Sequence, residues 1–558
     1  MKHTNRMMKT TFLFAGVFFL HTVYAQTEKL IYHNIQNDKG GNIIPWYSEE
    51  KGKAYSHAIQ SVWHFWDTMR TDLNGLPYYM NHQVWKPGVN DPRGIGGDQF
   101  AMAMSSWRLL YAYTGDERLK DNMKLLADQT IANGLSSFNS KWPNLPFPYN
   151  TLLYSGKYDG DMVLGKGFLQ PDKAGSFGLE LVMLSKLIGT KGYQNVVGNQ
   201  YLSVAEAIAN TLAQKTIDGD EKHSPLPFKV NAVTGKNSPQ LSNKQQNSTN
   251  PKAIGLGDYT SNWTGTMELF LELTKLKRGD SILYKKAFYR IIGWMKKYPL
   301  QNNRWGPFFE DISVWSDTQI NAVSFAQFMM NHTNLFPNWK KEVPAIFNWV
   351  YTKLGNKKWS NYGVIVINEQ TAYQTPGNSH TSRQAAAELQ YVALSGDTAL
   401  KENAVRQLNW ATYMVDVDGK NRYPQDENWL TDGYGDYVRH YLRAMAAVPE
   451  LAITDEDHIL SSTSVIQQAD YKNQQNKFLV PDVAEVPVSE VVLHYRASEQ
   501  SGEEQVFLQR KPLKIMMRKQ VLNENTGLGL QGYHWFPLSK GGLLKVHRTS
   551  GSEVTIIQ

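Results

Sequence analysis

The feature that most restricts what this chain can become is a short turn that recurs between stretches of apolar periodicity. It appears as Tyr113-Thr114-Gly115-Asp116, Leu187-Ile188-Gly189-Thr190, Lys277-Arg278-Gly279-Asp280 and Leu394-Ser395-Gly396-Asp397. In each, glycine can end one helix in the left-handed conformation, and Asp or Thr can cap the next. Helices joined so closely lie antiparallel, as a hairpin. The flanking sequence agrees: apolar and aromatic residues step by three and four, as in Ile59, Val62, Trp63, Trp66 and in Phe100, Met104, Trp107, Leu110, Tyr111. Reading outward from the turns predicts twelve helices, at 54–72, 96–114, 116–133, 174–189, 193–216, 258–277, 279–298, 315–333, 336–354, 380–395, 397–415 and 433–447. Tight turns follow the second, fourth, sixth, eighth and tenth of these, and long Gly/Pro/Asn-rich loops follow the odd-numbered ones.

Hairpins with short turns at one end and long loops at the other describe a closed helical solenoid whose loops share one face. Twelve helices in six hairpins resemble the (α/α)6 toroid of the six-hairpin glycosidases and of several polysaccharide lyases, bacterial enzymes among them that handle uronates. The resemblance spans Ala54 to Pro449 and rests on architecture. It implies a mainly α toroid that cleaves a poly- or oligosaccharide in its central funnel.

The ends of the chain read differently. Lys2, Arg6 and Lys9 precede an apolar run from Phe12 to Leu20, and Val23-Tyr24-Ala25 offers the small residues of a cleavage site. Residues 1–25 are therefore expected to be a signal peptide, which with the absence of cysteine points to export to a bacterial periplasm or cell surface. The toroid is expected over 26–451. A polar, Gln- and Asp-rich stretch at 452–485, with its Ser461-Ser462-Thr463-Ser464 run, reads as a linker. From 486 to 558 the alternation of Val491, Leu493 and Tyr495 and later Gly-punctuated segments predict a small β-sandwich-like domain.

Composition narrows the function. With no cysteine in 558 residues, disulfides, thiolate metal sites and cysteine nucleophiles are excluded. The 58 Lys+Arg against 51 Asp+Glu leave a net charge of +7 spread along the chain, without the basic stripe of a nucleic-acid binder. No His-Glu-x-x-His pattern, calcium loop or dinucleotide fingerprint is present, so no metal and no cofactor is expected. No segment outside the leader is long and apolar enough to suggest a transmembrane helix. The 16 Trp, 29 Tyr and 22 Phe supply core material and flat faces on which sugars stack.

Polar residues of unusual type crowd just before the even-numbered helices, where a toroid would bring them to one mouth. For glycosidic hydrolysis, which needs a proton-donating carboxyl and a second carboxylate, the candidates are Asp98 among its glycines, Asp432 or Asp436 as partner, and Glu369 in reserve. For elimination beside a uronate, Tyr373 or His380 would move protons while Asn378 and Arg383 hold the acid. That set matches the Tyr, His, Asn and Arg of toroid lyases in kind, though here it sits within one loop. Arg93 and Arg439 could also grip a uronate. Trp263, Trp305, Trp315, Asp317, Trp429 and Tyr434 complete the expected substrate contacts. Hydrolysis of an acidic glycan is the leading expectation, elimination the alternative, and a glycan-binding protein without catalysis a third.

Overall fold

The computed structural model describes residues 30, 32–69, 71, 74–80, 99–152, 155–161, 163–189, 195–238, 256–309, 314–422, 434–472, 490–525 and 529–558, and structural statements refer to these. The expected signal segment lies outside them.

Thirteen α-helices are present among the described residues: α1 (Lys51–Asp67), α2 (Phe100–Thr114), α3 (Glu117–Asn133), α4 (Pro171–Ile188), α5 (Asn195–Lys215), α6 (Thr264–Lys275), α7 (Ser281–Lys297), a single turn α8 (Pro299–Asn302), α9 (Gln319–Asn331), α10 (Trp339–Leu354), α11 (Asn378–Ser395), α12 (Lys401–Thr412) and α13 (Tyr434–Ala447). The twelve long ones coincide with the twelve expected. The turn chemistry is as read: Gly115 and Gly396 close α2 and α11 at φ 73° and 79°, and the Asp116 and Asp280 carboxylates accept from backbone N–H groups in the first turns of α3 and α7.

Helices α2, α4, α6, α9, α11 and α13 each pack on the next, and α13 packs back on α2, closing a ring. Around it, α3, α5, α7, α10 and α12 pair with the inner helix that precedes them, and α1 with α13. Sequence separates the layers. Inner α9, Gln-Ile-Asn-Ala-Val-Ser-Phe-Ala-Gln-Phe-Met-Met-Asn, carries no charge and is buried nearly all round, whereas outer α7 places its lysines toward solvent and buries one face. Small residues let the inner helices approach: a Cβ on Gly175 of α4 would meet Thr266 Oγ1 of α6 at 1.9 Å. All six inner helices start at the end bearing the long connections.

Short strands stiffen those connections: β1 (Gly160–Asp161) pairs with β2 (Gly165–Lys166), β3 (Phe168–Leu169) with β4 (Val230–Asn231), and β5 (Gly355–Asn356), β6 (Val366–Gln370) and β7 (Tyr373–Pro376) form a three-stranded sheet. The Asp161–Lys229 ion pair at 3.0 Å, closed to solvent on both sides, fastens two of the loops.

The C-terminal strands are β8 (His458–Ser462), β9 (Ile466–Tyr471), β10 (Val491–Ala497), β11 (Gly502–Leu508), β12 (Lys514–Met517), β13 (Gln520–Val521), β14 (Gly532–Pro537), β15 (Gly542–Arg548) and β16 (Glu553–Ile557). They make two antiparallel sheets, ordered β13-β12-β16-β10-β9 and β14-β15-β11-β8. Leu493, Tyr495, Val506, Leu544, Val554 and Ile556 fill the space between. The stretch expected as a linker is therefore corrected: residues 458–471 give one strand to each sheet. The side chains of Gln467 and His458 face the toroid. The Gln467 carbonyl accepts from Tyr111 Oη and Lys120 Nζ, its amide donates to the Lys186 carbonyl at 2.6 Å, and the His458 ring stacks on Tyr113 at 3.7 Å. The sandwich thus covers the tight-turn end of the ring, opposite the long loops. No helix among the described residues is long and apolar enough to cross a membrane.

Candidate active site

Four of the six inner helices bring one to three polar side chains of their first turns toward the ring axis, because positions three and four apart share a face. On α13 these are Asp436, Arg439 and His440; on α11, Ser379, His380 and Arg383; on α4, Asp172 and Lys173; on α9, Gln319. Asp172 and Lys173 form a separate buried pair, and those on α13, α11 and α9 meet in one buried network.

Asp436 is its centre. Arg383 Nη2 binds Asp436 Oδ2 directly, Ser379 Oγ donates to Oδ1 at 2.6 Å, His440 Nε2 stands 3.3 Å from Oδ2, and Arg439 Nη2 stands 3.7 Å away. Burial pushes this carboxyl up, but the charges of Arg383 and Arg439, Arg383 above all, with the neighbouring His440 ring, outweigh it and hold the group well below the usual carboxylate range. Burial drives His440 the other way, to about 3, against the pull of Asp436. The imidazole is thus neutral, with Nε2 the nitrogen nearer the carboxylate; both ring nitrogens are buried and neither meets hydrogen-bond geometry, and the residue lines a cavity inside the ring.

Arg383 continues the network. Its Nη1 donates to Gln319 Oε1 at 2.6 Å and to His380 Nδ1 at 3.3 Å. That donor assigns the His380 proton to Nε2, which stands 3.6 Å from Glu369 Oε2 on strand β6. Glu369 also accepts from Gln370 Nε2 at 2.6 Å. Across the ring, Lys173 Nζ pairs with Asp172 at 3.0 Å, donates to the Phe308 carbonyl at 2.9 Å and lies 3.4 Å over the Phe308 ring. Asn262 donates to the same Asp172 carboxylate at 2.9 Å.

Of the residues singled out from sequence, Asp436, Glu369, His380, Arg383 and Arg439 therefore come together. Asn378 is beside them, its amide bound to Asn421 on the following loop. Tyr373 stands half-buried on β7, across the hairpin from Gln370. The reading of Trp263 and Trp305 as sugar platforms is corrected: both are 0 % exposed, core residues with no open face. Trp315 lies under the Arg304 guanidinium at 3.9 Å. Asp317 is a strap, accepting from the backbone N–H groups of Trp305 and Gly306 at 2.7 and 2.9 Å and from the Trp315 indole at 2.9 Å. Arg93, Asp98, Trp429 and Asp432 lie outside the described residues, as does the Tyr434 side chain. Their neighbours Gln99 and Gly435 touch, a Cβ on Gly435 falling 2.7 Å from the Gln99 carbonyl oxygen. Lys173 and Asp172 were not nominated from sequence, and His440, which stands in the same polar cluster as Asp436 and Arg439, was given no role there. The spacing of Asp436, His440 and Arg443 along a helix otherwise rich in apolar residues was the available signal. Among the described residues no group of three His, Asp or Glu is arranged to hold a metal ion.

No family profile matches the sequence, and no curated protein matches it. Solved structures do. A cellobiose 2-epimerase from Spirochaeta thermophila is 10% identical with a TM-score of 0.51, over 72% of this chain and 96% of that one. A sugar epimerase from a ruminal bacterium is 14% identical with a TM-score of 0.48, over 70% and 98%. A family 76 glycoside hydrolase from a bovine Bacteroides thetaiotaomicron strain is 10% identical with a TM-score of 0.44, over 73% and 80%. At such identities the likeness is one of fold, and the expected likeness to (α/α)6 toroid enzymes that act on carbohydrates is met.

Proposed function

We propose that this chain is an exported carbohydrate-active enzyme that breaks a glycosidic bond beside a uronate, by proton abstraction and β-elimination. One observation carries the chemistry: the Asp436–His440 pair, in which a buried carboxylate orients a neutral imidazole whose Nδ1 is unengaged. Such a pair is an oriented general base. Two of the buried carboxylates are already committed to cations, Asp436 to Arg383 and Asp172 to Lys173, which disfavours them as the free acid of a hydrolase. The fold shared with a cellobiose 2-epimerase supports a sugar substrate.

In this reading Arg439 and Lys173 face the uronate carboxylate and lower the cost of charge building up on it. His440 Nδ1 takes the proton from the adjacent carbon. The C–O bond to the leaving sugar breaks as the C=C bond forms, and His380 Nε2–H or Tyr373 returns a proton to the departing oxygen.

A second reading, hydrolysis by Asp98 and Asp432, is favoured by the contact between Gln99 and Gly435, which follow those residues in sequence by one and three positions. Incubation with a panel of acidic polysaccharides separates the two. Elimination gives products with the ultraviolet absorbance of a conjugated double bond; hydrolysis gives saturated reducing ends only, and a product of unchanged mass would indicate epimerisation instead. Saturated products from the wild type would end the elimination reading.

A further inference from the structure

The cavity lined by His440 does not stop at the polar layer. It has a volume of about 520 Å³ and continues down the inside of the ring to the last turns of α9, α11 and α13, with Gln505 of strand β11 at its far rim. There Leu394 is 48 % exposed and Asn331 is open to solvent, so this end communicates with the tight-turn face.

Almost every charged group along the channel has a partner. Lys173 has Asp172, Arg383 has Asp436, Arg108 has Glu180 at 3.4 Å, and Glu268 has His332 at 2.7 Å. Arg439 binds Ser105 Oγ at 2.8 Å and neighbours Asp436. Arg443 is different: it lines the cavity and makes no hydrogen bond or ion pair among the described residues. It lies seven residues beyond Asp436 on the same helix face, about 10 Å further along the axis.

We propose that the lower half of the channel is a second binding site, for a small carboxylate-bearing molecule of sugar size, with Arg443 receiving the carboxylate. Arg443 is half-buried in the channel wall, and a guanidinium with no hydrogen-bonded carboxylate is a ready receptor for an anion. Burial, reinforced by Arg439 and Arg108 and only partly offset by Glu180 and Asp436, lowers the Arg443 pKa to about 9, and a bound anion would act against that shift. The rest of the lining suits a sugar acid rather than a bare inorganic ion. Phe328 and Leu394 offer apolar walls, and Gln327 and Gln390 offer amide groups.

The site stands apart from the reading of the mouth, and the experiment keeps them apart. Phenylglyoxal labelling of the full chain, mapped by peptide mass spectrometry, reads Arg443 directly. Arg443 should react ahead of the bidentately paired Arg548 and should be protected by D-glucuronate but not by D-glucose. By calorimetry Arg443→Met should weaken glucuronate binding at this site by about tenfold or more, and Arg443→Lys by less. His440→Ala should keep the protection at Arg443 even where turnover is lost. Glucuronate that leaves Arg443 labelling unchanged, or that binds Arg443→Met as tightly as wild type, overturns the proposal. If Arg443→Met does not fold, the protection measured on the wild type decides.

Discussion

His440 Nε2 lies 3.3 Å from Asp436 Oδ2 across a single turn of α13, so the imidazole and its carboxylate are fixed to one another by the backbone itself. Loops on the mouth can rearrange around this pair without altering its geometry.

Replacing the imidazole tests its role. His440→Ala should reduce turnover by roughly 10²–10⁴-fold, the usual worth of a positioned general base, with KM changed far less. Because burial holds the folded His440 pKa at about 3, the rate should show no histidine step near 6.5. A step there that vanishes in the variant would show that the group titrates freely.

Asp436→Asn should destabilise the fold by about 3–5 kcal/mol, since it leaves the buried Arg383 without its counter-charge. The measurement is urea unfolding with both proteins at neutral pH. Acid should act in the same direction. The depressed Asp436 pKa gives stability that is fully present above the unfolded carboxylate range and is lost as pH falls through it toward the folded value. The depressed His440 pKa adds a loss below 6.5, where the unfolded chain takes up a proton that the folded one refuses. Unfolding curves that coincide between wild type and Asp436→Asn at pH 7 would contradict the assignment.

Glu388 on α11 carries the opposite sign. Burial raises it to about 7, against hydrogen bonds from Gln384 and from Tyr351, whose hydroxyl donates at 2.6 Å. Between the unfolded value of 4.5 and 7 the folded state holds a proton that the unfolded state has released, so its contribution to stability declines as pH rises through that window. Glu388→Gln keeps the acceptor oxygen and removes the ionisation. It should be about as stable as wild type near pH 4 and more stable at pH 8, as read by thermal unfolding at the two pH values.

Gly435→Ala should destabilise by about 1–3 kcal/mol, although alanine is ordinarily the better helix residue. The added methyl group would stand 2.7 Å from the Gln99 carbonyl oxygen and 3.1 Å from Met102 Cβ. A variant as stable as wild type would mean that α2 and α13 are not in contact at their starts.

How much of this was legible follows from what each signal depends on. The helices and their turns were readable because Gly115, Asp116, Gly396 and Asp280 act on their own neighbours, and local chemistry is written locally. The strand at 466–471 was not. Gln467 and Gln468 look like linker residues, but Gln467 spends its hydrogen bonds on Tyr111, Lys120 and Lys186, partners hundreds of residues away in sequence. Trp263 and Trp305 failed for a related reason, since an aromatic that is core and one that meets a sugar have the same letter. Asp436, Arg383 and His380 were visible as residue types out of place on buried helices. That Asp436 is a shared anchor and that His440 stands beside it on the cavity wall depends on which side chains meet across the ring, and only three dimensions supply that.

Closure of the ring joins distant parts of the chain. Ser106 on α2 donates to the carbonyl of Gly435 on α13, 329 residues later, and α1 leans on the same α13. During synthesis the early hairpins must therefore wait with their axis-facing sides uncovered until this helix arrives. Folding of such a topology is slow, and its intermediates are exposed to wrong partners. A shortened chain that stops before α13 would present an open crescent, with Ser105, Arg108 and Glu180 bared along its unfinished seam.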